Sequence, residues 1–273
     1  GNLQGKSLYL VGIKGTGMAA LAELLLKRGA RVSGSDTTDH FYTDEILRDL
    51  GIPYHEGFDA SHVPADAALV VHSAAYRPDS HPELLRAAEL GIPVAVYTEA
   101  LGAYSALMPS AGIAGVHGKT TTTAMAGTLV RKLGLPGSVL AGSAVSGFGG
   151  RSTWTGGDRF FIAETCEYRR HFLSFHPRWI VLTSVEADHL DYFRDYEDIL
   201  SAFVAYGLRI EKGGALIYCA DDPGAREAAG KIGAQRENLR FIPYGETADG
   251  PYRVAAVEKR PGATAFRLAG FAP

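Results

Sequence analysis

The chain has 273 residues, 46% of them hydrophobic, and its 27 Lys and Arg against 30 Asp and Glu give a formal net charge of −3. At roughly 100–200 residues per domain this length fits two domains, and the near-balanced charge supplies no basic field for a nucleic-acid or anionic-membrane partner. The two cysteines, Cys166 and Cys219, lack the paired spacing of a zinc site or a disulfide framework. With no export signal and no apolar run of about 20 residues, the expectation is a cytoplasmic protein with reduced thiols and small-molecule substrates.

Residues 7–11 form a short apolar run followed at once by glycines and then by residues 18–26, whose leucines and alanines suit a buried helix. Strands are expected at 31–35, 68–73 and 93–97, with a helix at 82–90 between the last two. Around 107–112 the pattern restarts, with a strand at 113–114, a glycine turn and a Thr-rich helix over 119–133. Later strands fall at 159–163, 179–183, 215–219 and 240–243, helices near 196–209 and 223–231, and final strands at 252–257 and 264–268. The alternation predicts an α/β protein: an N-terminal Rossmann-like parallel-sheet domain over 6–108, then a P-loop-type α/β ATPase domain over 109–273. A finished α/β domain usually covers its last strands with another helix, so the second domain is expected to be incomplete.

Three groups of residues carry chemistry. The strongest is Gly115-Val116-His117-Gly118-Lys119-Thr120-Thr121, set between a strand and a helix. Glycines let backbone N–H groups turn onto phosphate oxygens, Lys119 brings positive charge to the outer phosphates, and Thr120 or Thr121 offers a hydroxyl to Mg²⁺. Ile113 stands where the first glycine of the usual spacing falls. The second group is Gly12, Lys14, Gly15, Thr16 and Gly17 after the first strand, with Asp36 closing the second. The helix N-terminus there suits a diphosphate, and Asp36 suits a ribose, although the glycine spacing differs from the common dinucleotide fingerprint. The third is Glu164 and Glu167 after one later strand, and Asp188, His189 and Asp191 after the next. Ligands in open α/β sheets gather at carboxyl ends of strands, and carboxylates suit Mg²⁺. His55, His62, His171 and His176 read as surface or packing residues, and Asp221 and Asp222 as turn residues.

In order, the runs at 12–18, 34–36, 72–75, 116–123, 164–168 and 186–193 resemble the Mur ligase family. The resemblance implies a three-domain ATP- and Mg²⁺-dependent enzyme, of which this chain holds the UDP-sugar and ATPase domains and lacks the C-terminal amino-acid-binding domain. It further implies that L-alanine is joined to the lactyl carboxylate of UDP-N-acetylmuramate through an acyl phosphate. Gly12, Lys14, Gly15, Thr16, Gly17, Asp36 and Ser73 would then hold the UDP sugar, with His117 facing its carboxylate. Gly115 to Thr121 would bind ATP, with Lys119, Glu167 and His189 catalytic. Thr120 or Thr121 and Glu167 would take one Mg²⁺, and His189 a second. Lys14 stands where the family more often has Gly, and its ammonium is expected to add a contact to the diphosphate. Ser184 and the pair Arg169 and Arg170 depart from the family pattern, which has Asn and a nearby acid. A ligase adding a preformed peptide to the same sugar, a nicotinamide oxidoreductase and a non-catalytic nucleotide-binding fragment remain alternatives, and no oligomeric state is legible.

Overall fold

The computed structural model describes residues 3–189 and 191–271; Leu190 of the 186–193 run lies outside them. The chain forms two compact units, one of residues up to 108 together with 124–161, the other of 109–123 together with residues from 162 on.

The first 108 residues carry β1 (Ser7–Val11), α1 (Thr16–Lys27), β2 (Arg31–Asp36), α2 (Thr43–Asp49), β3 (Tyr54–Glu56), β4 (Leu69–His72), α3 (Pro82–Glu89), β5 (Val94–Val96) and α4 (Tyr97–Ser105). The strands are all parallel, in the order β3-β2-β1-β4-β5. Winding therefore reverses between β1 and β4, which opens a crevice beyond their carboxyl ends. β1 is buried along its whole length, as a central parallel strand covered on both faces must be. Tyr9, Val11, Val70, Leu84 and Ile92 share one core.

Next come β6 (Ser110–Ala114), α5 (Lys119–Lys132), β7 (Gly137–Val145), β8 (Arg151–Thr155), β9 (Phe160–Glu164), β10 (Trp179–Leu182), α6 (Tyr196–Gly207), β11 (Ala215–Cys219), α7 (Pro223–Gly233), β12 (Arg240–Tyr244), β13 (Val254–Arg260) and β14 (Ala263–Leu268). In the second unit the strands run β12-β11-β10-β6-β9, with parallel pairing from β12 to β6. β13 and β14 form a separate antiparallel hairpin. In the first unit β7 and β8 pair antiparallel and pack on α1. That second partner explains why α1 is buried almost all round, from Met18 to Leu25. It also accounts for the buried Glu23, which accepts hydrogen bonds from Arg151 (3.0 Å) and from the Thr153 hydroxyl.

The structure departs from the expected elements in several places. The strand expected at 93–97 stops at Val96, because the Glu99 carboxylate caps the Val96 N–H (3.2 Å) and opens α4. β6 is longer than the two residues expected, and α2, β3, β7 and β8 were not anticipated. Among the described residues no helix is long and apolar enough to cross a membrane.

Gly34 in β2 leaves no room for a side chain, since a Cβ there would collide with the Leu10 carbonyl oxygen and lie 3.0 Å from Ile13. Gly34→Ala should destabilise the chain by about 1–3 kcal/mol, read as a lower urea midpoint with an unchanged slope.

Candidate functional site

In the second unit, β6 ends at Ala114 and α5 begins at Lys119, so four residues form the turn between strand and helix. Gly115 and Gly118 hold φ values of 138° and 81°, which side chains rarely tolerate. The end of β10 closes on this turn from the neighbouring strand. Ser184 O accepts the Val116 N–H (3.1 Å), Ser184 Oγ accepts the His117 N–H (3.0 Å), and the Thr183 hydroxyl lies 3.1 Å from Ala114 O. A Cβ on Gly115 would strike the Thr183 hydroxyl and sit 2.8 Å from the Ser184 nitrogen.

Lys119 stands at the first turn of α5, with Nζ donating to Gly115 O (2.6 Å), Val116 O (3.2 Å) and Glu167 Oε1 (3.0 Å). Glu167 is fully buried. Its Oε2 is ion-paired with Lys119 at 3.0 Å but accepts no hydrogen bond, which leaves a buried lone pair without a donor. His189 Nε2 lies 3.4 Å from Glu167 Oε1. Thr120 donates to Glu164 Oε1 (3.0 Å), whereas Thr121 is exposed on α5. The His117 ring points to Glu186, 3.2 Å away. The structure thus brings Lys119, Thr120, Glu164, Glu167 and His189 to the carboxyl ends of β6, β9 and β10. Among the described residues no three His, Cys, Asp or Glu side chains converge as a ready metal cage. The oxygen donors Thr120, Glu164 and Glu167, with the orphaned Oε2, suit a hard cation that takes its remaining ligands from phosphate and water.

Thr183 escaped the sequence reading, and its place just past the end of β10 was the available signal. Asp222 accepts the Val185 and Ala225 N–H groups (3.0 and 2.7 Å), and Asp221 accepts those of Glu246 and Thr247. Both are turn residues, as expected.

The first unit carries its own glycine turn. Gly12 has φ 83° and donates its N–H to Ser35 O (2.8 Å). Ser73 and Tyr76 close over it, at 3.0 and 2.7 Å from where a Cβ would stand. Gly15 caps α1, and Thr16 and Gly17 are its first residues. The Asp36 carboxylate is turned onto backbone, accepting the N–H of Lys14 (2.6 Å) and of Thr37 (2.8 Å). Burial first, and then the Asp36 charge, push the Tyr76 phenol up to about 12.

Lys14 requires a correction. Its side chain is fully buried and its ammonium faces Thr37 O (2.9 Å), Asp39 O (3.1 Å), Glu56 (3.1 Å) and Asp44 (3.4 Å), so it is not presented to a diphosphate. Three ammonium protons cannot serve four local acceptors and a ligand as well. Burial acts to lower the lysine's titration and also to raise that of Asp44, but the Glu56, Asp44, Phe41 and Tyr54 contacts prevail. Lys14 stays above its ordinary value and Asp44 below its own.

A model described as the Mur ligase family catalytic domain matches residues 7–107, and one described as the Mur ligase middle domain matches 113–271. The UDP-N-acetylmuramate--L-alanine ligase of Treponema pallidum (strain Nichols) is 52% identical over 271 residues, 99% of this chain and 56% of that protein. The chain thus spans about half the length of such relatives. The structure of UDP-N-acetylmuramate:L-alanyl-gamma-D-glutamyl-meso-diaminopimelate ligase from Neisseria meningitides is similar at TM-score 0.80 and 25% identity, over 97% of this chain and 85% of that one. That of UDP-N-acetylmuramate-alanine ligase from Thermotoga maritima gives 0.68 at 25% identity, over 81% and 51%.

Two outcomes follow from these contacts. Gly115→Ala should displace the turn from Thr183 and Ser184 and destabilise the chain by about 1–3 kcal/mol, read as a lower urea midpoint. Because Asp44 titrates below its ordinary value of 3.8, its stabilising contribution is present above that value and is lost as pH falls through the lower folded one. His40, 3.6 Å from Asp44, and Lys14 and Glu56 are the other charges there. Asp44→Asn should therefore lower stability at neutral pH and flatten its fall toward pH 3 in thermal melts.

Proposed function

As a chain that belongs to the Mur ligase family of ATP-dependent ligases, it supports a definite reading: we propose that the whole protein joins L-alanine to the lactyl carboxylate of UDP-N-acetylmuramate, using ATP and Mg²⁺, in peptidoglycan-precursor synthesis. The observation that carries this is Lys119 at the head of α5, paired with the buried Glu167 and with His189 beside it. A carboxylate in water is a poor electrophile until one oxygen becomes a leaving group, and transfer of the γ-phosphoryl of ATP to it gives an acyl phosphate. The alanine amine attacks that carbonyl through a tetrahedral intermediate and phosphate departs. Such transfer depends on positioning and charge neutralisation.

In this reading the first amides of α5 hold the phosphates beside the 115–118 turn, and Lys119 exchanges the Gly115 and Val116 carbonyls for phosphate oxygens. Glu167 and Thr120 would hold one Mg²⁺ and His189 a second, and the ions would supply charge neutralisation on those phosphates. His117 orients the sugar's carboxylate. The first unit holds the UDP sugar through Gly12, Gly15, Thr16, Gly17 and Ser73, with Asp36 bracing the turn beneath. Selection of the amino acid is assigned to a further C-terminal domain of the whole protein. The likeness to the Neisseria structure favours a second reading, a ligase adding a preformed peptide. The much higher identity to the Treponema protein favours alanine.

The test is phosphate release by the full-length protein with ATP, Mg²⁺ and UDP-N-acetylmuramate, with and without L-alanine. Release should depend on alanine, and Lys119→Met should lower it about 10²–10³-fold. Release that responds to a peptide and ignores alanine would move the assignment to the second reading. The 273-residue chain alone should bind UDP-N-acetylmuramate without turnover.

A further inference from the structure

Residue 14 is tied to the segment after β2 by every polar group it has. Its N–H donates to Asp36 and its carbonyl accepts the Thr43 hydroxyl. Its ammonium, on a side chain with no exposure, donates to Thr37 O, Asp39 O and Glu56 and faces Asp44, with the Tyr54 ring 5.2 Å away. Asp44 in turn accepts the Phe41 N–H (2.8 Å) and the Tyr54 hydroxyl (3.1 Å). The loop over 37–42 is therefore pinned from beneath by one buried cation, although its outer residues are exposed. At its end Tyr42, 48% exposed, reaches back so that its hydroxyl donates to Thr16 Oγ1 at 3.1 Å.

That last bond has a directional consequence. The phenol is the more acidic hydroxyl and so the better donor, and the threonine oxygen the better acceptor, which leaves Thr16 its own proton to donate; Thr16 is the first residue of α1, on the glycine turn. We infer that Tyr42 orients the Thr16 hydroxyl as a donor to the diphosphate of the sugar nucleotide, and that Lys14 is the positioning residue that holds the Tyr42 loop in place. The inference rests on the proposed reading of the first unit as the UDP-sugar domain. It replaces a direct Lys14-to-diphosphate contact with an indirect one. A lysine here, where the family resemblance leads one to expect glycine, braces the loop beside the glycine turn and keeps its charge among Thr37, Asp39, Asp44 and Glu56.

The experiment compares UDP-N-acetylmuramate and ATP binding by calorimetry, and thermal midpoints, for the wild-type chain, Tyr42→Phe, Lys14→Met and the double variant. Tyr42→Phe removes one exposed hydroxyl, so its midpoint and ATP affinity should match wild type while UDP-sugar affinity falls about three- to tenfold, the equivalent of the one neutral hydrogen bond that orients Thr16. Lys14→Met should lower the midpoint and weaken the UDP sugar by a similar factor at unchanged ATP affinity. The double variant should bind the UDP sugar no more weakly than Lys14→Met, because the two residues act through one bond. Should Lys14→Met fail to fold, Tyr42→Phe decides alone. Unchanged UDP-sugar affinity in Tyr42→Phe, or losses that simply add in the double variant, overturns the inference and leaves the first unit's function standing. A wild-type chain that does not bind UDP-N-acetylmuramate overturns both.

Discussion

Backbone amides can hold a phosphate only where the chain comes close enough to present them, and at the head of α5 that closeness is set by Gly115. Its Cα lies against Thr183 and Ser184 with no space for a further atom, in a conformation with φ 138°. Because the strand end presses here, the Val116 and His117 amides are used up on Ser184. What remains toward the opening is the first turn of α5, whose N–H groups have no partners within the helix. The same contact fixes where Lys119 starts, and so which acids its ammonium can reach.

Those acids are placed where a lone charge would be untenable. Glu167 is fully buried, and an unpaired buried carboxylate would give up its charge sooner than its hydration. Lys119 supplies the paired charge, 3.0 Å away. Removing two charges from water seldom adds net stability even when they pair well, so a buried carboxylate paired with a partly buried ammonium at this turn points to chemistry more than to folding. The first unit repeats the arrangement with a different purpose. Its buried cation, Lys14, is saturated by carbonyls and carboxylates and organises a loop, whereas Lys119 rests on acceptors that a triphosphate can replace.

Much of this was legible in the sequence, in physical terms. Strands that feed glycine turns and then helices located both turns, because the φ values of Gly12, Gly115 and Gly118 favour glycine. The acids after β9 and the histidine after β10 were placed correctly by the rule that ligands gather at strand carboxyl ends. The side-chain partners of Lys14 could not be read, since Asp44 and Glu56 lie 30 and 42 positions along the chain and meet it only once α2 and β3 have formed. α4 was hidden for a related reason: the β-branched and aromatic residues of 94–97 favour a strand until Glu99 caps the next helix. β7 and β8 lacked a visible reason to exist until α1 was seen to bury its second face against them.

Arg169, Arg170 and His189 share a single geometry. All three hold left-handed backbone, at φ 51°, 58° and 50°, and non-glycine residues there cost on the order of 1–3 kcal/mol each in strained settings. Arg169 and Arg170 follow Glu167, which pairs with Lys119, and His189 lies beside that carboxylate. The Arg170 guanidinium lies 2.7 Å from the Asp198 carboxylate and over the Phe193 ring, while Phe172, two residues on, stacks on the buried Tyr206. At His189 the carbonyl accepts the N–H groups of both Tyr192 and Phe193. These contacts offset the backbone cost and turn the chain sharply enough to drive Glu167 inward and bring His189 to within 3.4 Å of it. Arg170 thus anchors the bend through its ion pair with Asp198. The bend itself, more than the identity of the residue on it, is what the site requires.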